Sequence, residues 1–219
     1  MASPDLAGVL QALFDAERAA RLAHDELVAA DPARLLPVLE KATRDALSLD
    51  ARNEDESSLR LVRLAAVLGE MQGPQVVDLL IDVLGSDEPE ARHAAGEALS
   101  GLAVDRFKEV ALGMERAIER LAPDSPALAE LPYLLVGVPE PGVAKLLAKF
   151  LAHRNADAVA SSIEAVVEIG DRSMLSLLDP LASDTRRVEL DDESGTNGDA
   201  AIGELVAEAR EILLKGASA

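Results

Sequence analysis

Apolar residues recur at i, i+3, i+4 and i+7 through almost the whole chain, and Pro, Gly, Asp or Ser interrupts the stripe at short intervals. That period puts the apolar side chains on one face of an α-helix, so the pattern predicts short amphipathic helices joined by tight turns. Ser3-Pro4-Asp5 has the form of an N-cap followed by proline at the first helical position, and a long helix is expected from there towards Ala29, in one piece or two. Asp31-Pro32 repeats the device ahead of a second helix through Leu35, Leu36, Val38, Leu39 and Ala46, and Ser48 to Ser57 reads as a polar connection. Leu61, Leu64, Val67 and Leu68 form the next stripe; Gly73-Pro74 ends it and restarts the chain with Val76, Val77, Leu80, Ile81 and Leu84. After Asp87-Glu88-Pro89, Ala91, Ala95, Ala98, Leu99 and Leu102 share one face. Further helices are expected over 107–121, 126–136, 141–152, 157–169, 173–181 and 200–214.

The stripes repeat. An ungapped shift of 67 residues lays Leu61 on Leu128, Leu68 on Leu135, Pro74 on Pro141, Val76 on Val143, Leu80 on Leu147, Leu84 on Leu151, Ala98 on Ala165 and Leu102 on Ile169. Any two amphipathic helices share apolar positions, but an interhelix proline falling in register with them marks a structural repeat. The period spans about four helices, so the unit is two helix pairs. One pair cannot bury its stripe alone and must stack on its neighbours. The expected fold is all-α, a right-handed α-solenoid of stacked antiparallel helix pairs. One domain over 1–219 is expected, with a capping helix pair at 1–50, repeats at 58–188, an acidic loop at 189–199 and a capping helix at 200–219.

Composition supports helices over sheets. Nearly half the chain is hydrophobic, yet it has three Phe, one Tyr and no Trp, so the core must be built of Leu, Val, Ile and Ala. The segment Leu79–Leu99, LLIDVLGSDEPEARHAAGEAL, resembles the HEAT and phycobilin-lyase-type HEAT-like repeats at Asp87, Pro89, Arg92, Ala95, Ala98 and Leu99. The second copy keeps the apolar register and the Ile169-Gly170-Asp171 ending but has Arg154 for Asp87 and Val159 for Arg92. The resemblance implies a repeat architecture whose second helices line a partner-binding surface. A minority of that family attach chromophores or act on nucleic acid.

Charge narrows the partner. Forty acidic residues against 21 basic ones leave a net charge of −19, which repels phosphate backbones and anionic lipid. A protein partner, a basic one in particular, is expected, with neither nucleic acid nor membrane. The absence of cysteine rules out thiolate metal sites and a cysteine nucleophile. His24, His93 and His153 stand singly, without a second ligand at metal spacing, and no nucleophile elbow or phosphate loop occurs. The loop Glu193 to Glu204 misses the calcium pattern at Gly195 and Ala200, and Asp199 reads as a helix cap. No cofactor, metal or catalytic group is therefore expected, and a cytoplasmic, non-catalytic scaffold or adaptor is the leading reading. A HEAT-like lyase or base-excision enzyme, or a protein whose repeat ends stack into an assembly, are the alternatives. Residues that interrupt the stripe on second helices, Asp78, Asp82, Lys145 and Lys149, are the expected partner contacts, joined by Asp191 and Asp192 of the acidic loop.

Overall fold

A computed structural model describes residues 5–49, 54–190 and 198–215. Helices α1 (Leu6–Val28), α2 (Pro32–Leu47), α3 (Glu54–Gly69), α4 (Pro74–Leu84), α5 (Pro89–Asp105) and α6 (Phe107–Arg120) follow one another through short turns. The chain continues with α7 (Ala127–Glu130), a 3-10 segment (Leu131–Leu135), α8 (Gly142–Leu151), α9 (Ala156–Ile169) and a second 3-10 segment (Arg172–Leu181). Strands β1 (Arg187–Leu190) and β2 (Gly198–Ala201) precede α10 (Ile202–Lys215).

The pairs stack into two layers, as the stripes require. In the first, α3 packs on α5, α5 on the Leu131–Leu135 segment, that segment and α7 on α9, and α9 on α10. In the second, α2 meets α4, α4 meets α6, α6 meets α8, and α8 meets the Arg172–Leu181 segment. Each element touches sequence neighbours and near neighbours, the contact pattern of a quasi-one-dimensional stack and of an all-α solenoid. The core runs between the layers and is aliphatic: Leu61, Leu68, Leu80, Ile81, Leu99, Leu128, Leu147 and Phe150 are completely covered. Each such side chain contributes about 1.5–3 kcal/mol relative to exposure, so the core as a whole, not propensity, holds the helices in place.

The 67-residue shift holds in three dimensions. It carries α4 onto α8 and α5 onto α9, and Val76, Leu80 and Leu84 and their counterparts Val143, Leu147 and Leu151 are all buried. Gly73 has φ 123°, open only to glycine, and Pro74 then starts α4 with the fixed φ and missing N–H that a first turn tolerates.

Close approach of the layers' members also depends on a glycine. A Cβ on Gly113 of α6 would lie 2.3 Å from Val77 Cγ1 of α4, so these two helices meet at a distance that only glycine allows. Gly113 sits three residues before Arg116, and the close approach brings Arg116 within reach of α4.

Several expectations change. Helix α1 is continuous, and its cap is Asp5, which accepts from the Gly8 N–H at 3.2 Å; Ser3 and Pro4 lie outside the described residues. Of the pair at the N-terminus, α2 covers the stack with Leu35, Leu39 and Ala46, whereas α1 has no buried residue and meets α3 and the turn after it through Glu17–Arg63 and His24–Glu70. The helix expected over 126–136 is one α-turn followed by 3-10, because Pro132 stands where α3 has Ala65 and cannot donate to the carbonyl four residues back. The Ser173–Leu181 helix is likewise 3-10, with Pro180 inside it. The acidic loop 189–199 is not a loop at its ends: β1 and β2 pair antiparallel, Glu189 opposite Asp199, with Val188 buried. Asp199 is held by Arg187 instead of capping α10, which begins at Ile202, and Glu204 reaches back to the Ala201 N–H at 2.8 Å.

Candidate interaction surface

The second-helix layer carries a row of ion pairs that crosses from pair to pair. Arg116 of α6 forks the Asp78 carboxylate of α4, Nε lying 3.1 Å from both oxygens and Nη2 2.9 Å from Oδ1, and Nη2 also donates to the Pro74 carbonyl at 3.1 Å. One turn on, Arg120 Nη1 donates to Asp82 Oδ1 at 2.7 Å while its Nη2 reaches the Asp78 carbonyl at 3.0 Å. Lys149 of α8 bonds Glu115 of α6 at 2.7 Å. Two-point guanidinium–carboxylate pairing fixes direction as well as distance, so these side chains form a preset polar surface. Burial pushes the Asp82 carboxyl above its ordinary range, with Arg120 pulling in the opposite direction.

Beside this row a groove of about 460 Å³ opens between α2 and α4. Glu40, Thr43, Arg44 and Leu47 wall it on one side, Gln75, Asp78, Leu79 and Asp82 on the other, and Arg120 closes an end. The Thr43 hydroxyl is buried and has no hydrogen-bond partner among the described residues.

Of the expected contacts, Asp78 and Asp82 come together on this groove, half-buried and already paired. Lys149 is exposed and engaged with Glu115; Lys145 is exposed at the start of the same helix. Asp191 and Asp192 lie outside the described residues. Arg116, Arg120 and Glu115, the partners of three of these residues, escape a reading of single helices because they stand 38 and 34 positions away from Asp78, Asp82 and Lys149. The signal was present as basic residues on α6 one helix pair beyond the acidic residues on α4.

Elsewhere the charges are spent locally. Arg18 pairs with Asp15 and Arg21 with Glu17 along α1. Arg186 clamps Asp184 through Nε and Nη2 and donates from Nη1 to the His153 carbonyl at 2.8 Å, tying the approach to β1 onto the α8–α9 turn. There, the Asn155 N–H donates to His153 Nδ1 at 3.1 Å, and Asn155 caps α9 by accepting from the Ala158 N–H. Burial, then Arg154 and Arg186, hold the imidazole below its ordinary pKa. Among the described residues, no group of three or more His, Asp or Glu converges as a cation-holding cluster, and no helix is long and apolar enough to cross a membrane.

No protein-family model matches the chain. Over 92 residues it is 36% identical to deoxyhypusine hydroxylase of Rattus norvegicus, a match covering 35% of this chain and 30% of that protein. The chain thus spans about a third of that relative's length. Among solved structures, a designed armadillo repeat protein aligns with 87% of this chain and 98% of its own at 13% identity, and a TM-score of 0.33 leaves that superposition without weight. The duplicated register and the two-layer stacking together establish the chain as a helical-repeat protein.

Proposed function

We propose that the chain is a non-catalytic scaffold or adaptor that binds a protein partner, a basic one in particular, on its second-helix layer. The observation that carries this reading is the groove between α2 and α4, where Glu40 joins the Asp78 and Asp82 carboxylates that Arg116 and Arg120 hold in fixed positions. Asp78 and Asp82 are locked by α6 before any partner arrives, which lowers the ordering cost of recognition. Lys145 and Lys149 extend the contact surface along α8, and Asp191 and Asp192 supply further acidic contacts. Affinity capture from native extract tests this: a protein retained by the wild type is lost when Glu40→Arg and Lys145→Glu are combined. Retention of every captured protein by that variant removes the assignment. Lys145 is exposed and Glu40 half-buried, and neither makes a cross-pair bond in the row described, so the stack is left intact.

A second reading, assembly of copies, is favoured by α1. Leu6, Val9, Leu10, Leu13 and Phe14 form one stripe and are between 51% and 72% exposed. Apolar patches of a few hundred Å² on a soluble protein mark contact sites. Sedimentation velocity separates the two: a Leu10→Glu, Leu13→Glu variant that sediments like the wild type removes assembly through this face.

A further inference from the structure

The first-helix layer holds a groove of different character at its far end, between α9 and α10, with a volume of about 330 Å³. Its floor is Ile163, Val167, Leu205, Ala209 and Ile212, of which Ile212 is 47% exposed, a large aliphatic side chain at the surface. Its rims are Glu164 and Glu168 on α9 and Glu208 on α10. These carboxylates arrive there by register. On α9, positions 164 and 168 are one turn apart and lie beside Ile163 and Val167; on α10, Glu208 stands between Leu205 and Ile212 on the same side. Tyr133 donates its hydroxyl to Glu164 and holds that carboxylate on the rim.

What sets this groove apart is its charge. The groove between α2 and α4 has Arg44 and Arg120 in its wall, the one at the α5–α6 corner has Arg106 and Arg116, the one beside Tyr133 has Arg92, and the one at the hairpin has Arg187. In those four, acids are offset by bases from the protein itself. Among the described residues, the α9–α10 groove is lined by three carboxylates and no basic residue. An apolar channel between two helices, bordered by negative charge with no basic residue in its lining, matches a helix that carries an aliphatic stripe with lysine or arginine on either flank.

We infer that this groove is a docking site for a cationic amphipathic helix of a protein partner, the aliphatic stripe of the ligand seated on Val167, Leu205 and Ile212 and its flanking cations paired with Glu164, Glu168 and Glu208. The site lies on the opposite layer from the groove of the proposed scaffold function and stands without it.

The probe is a fluorescein-labelled peptide of leucine and lysine patterned as an amphipathic helix of 14 residues, the length of α9 and of α10. Its fluorescence anisotropy with the full chain should saturate at one peptide per chain. Ile212→Ser should weaken binding about tenfold, the loss expected when one aliphatic anchor leaves an interface. Glu164→Gln, Glu168→Gln and Glu208→Gln combined should weaken it to a similar degree at low salt and flatten its salt dependence. A Glu40→Gln variant, altered on the other layer, should bind like the wild type and shows that net charge is not the cause. The inference is overturned if the peptide does not bind, if a shuffled peptide without an apolar face binds as tightly, or if either groove variant binds like the wild type. Circular dichroism of each variant, whose changed side chains in the groove are all exposed, identifies any loss that comes from unfolding, and equal helix content with lost binding is the supporting result.

Discussion

Replacing Gly113 with alanine sets two known effects against each other, and the structure says which is larger. An alanine in the interior of an exposed helix stabilises by about 1 kcal/mol over glycine. Here the added Cβ would stand 2.3 Å from Val77 Cγ1 and 3.2 Å from Val77 Cβ, where ordinary contact begins at 3.4 Å. Turning Val77 can relieve the first clash but not the second, and a valine in a helix has essentially one χ1 open to it. The helices must therefore part by up to about 1 Å, an overpacking cost of about 1–3 kcal/mol in a covered core. The balance is a loss of up to about 2 kcal/mol, or a melting temperature lower by up to roughly 8 °C for a chain of this length. Thermal and urea denaturation followed by far-ultraviolet circular dichroism measure it. The decisive comparison is the Val77→Ala background, where the space opposite position 113 is vacated and the same replacement should cost nothing or stabilise, giving a coupling of at least about 1 kcal/mol. If Gly113→Ala raises the melting temperature in the wild-type background, or costs as much beside Ala as beside Val, the close approach of α4 and α6 is not what holds glycine there.

Three further outcomes are expected. Removing residues 1–29 should leave the melting temperature within about 2 °C of the full chain, because α1 buries no side chain, and its amides should exchange fastest of all the long helices in hydrogen-exchange mass spectrometry. His153 has a folded pKa below its ordinary 6.5, so the unfolded chain takes up the proton first; its contribution to stability is complete above pH 6.5 and is lost as pH falls through the lowered value. A His153→Gln variant should show a flatter stability profile in that range, measured by urea midpoints at successive pH values. Tyr133, the chain's single tyrosine, has its phenol pushed up to about 12 by burial and then by the Glu164 carboxylate, so near-ultraviolet titration should find it protonated at pH 10 in the native protein and half-ionised there in denaturant.

The repeat was legible in sequence because the residues that set it act locally or through simple burial. Gly73-Pro74 reads as a break, and the structure shows why, with the glycine at positive φ and the proline in the first turn. Leu61, Leu80 and Leu147 read as core because a 3.6-residue stripe has one covered side. Four features were hidden for different reasons. The stripe on α1 has the same period as the others, and periodicity does not reveal whether a neighbour is present to cover it. Pro132 tightens its segment into 3-10 within a run whose apolar spacing still suits an α-helix. The Arg187–Leu190 and Gly198–Ala201 ladder is too short for an alternating pattern to stand out. The pairing of Asp78 with Arg116 depends on how two helices are set side by side, which Gly113 decides and no single-helix reading contains.

The in-register placement of α4 on α8 and of α5 on α9 also describes how such a chain grows and how it can be cut. A block of two helix pairs is bounded by a proline at the start of a second-layer helix on either side, Pro74 in the first turn of α4 and Pro141 just ahead of α8, so Gly73 could be followed by Pro141 instead of Pro74 without changing which faces meet, although Glu140 stands where the first joint has Gly73. Helix α3 would then receive Val143, Leu147 and Leu151 where it now receives Val76, Leu80 and Leu84. The molecule is thereby built of in-register blocks, its length adjustable by whole blocks while the surfaces of the two copies differ.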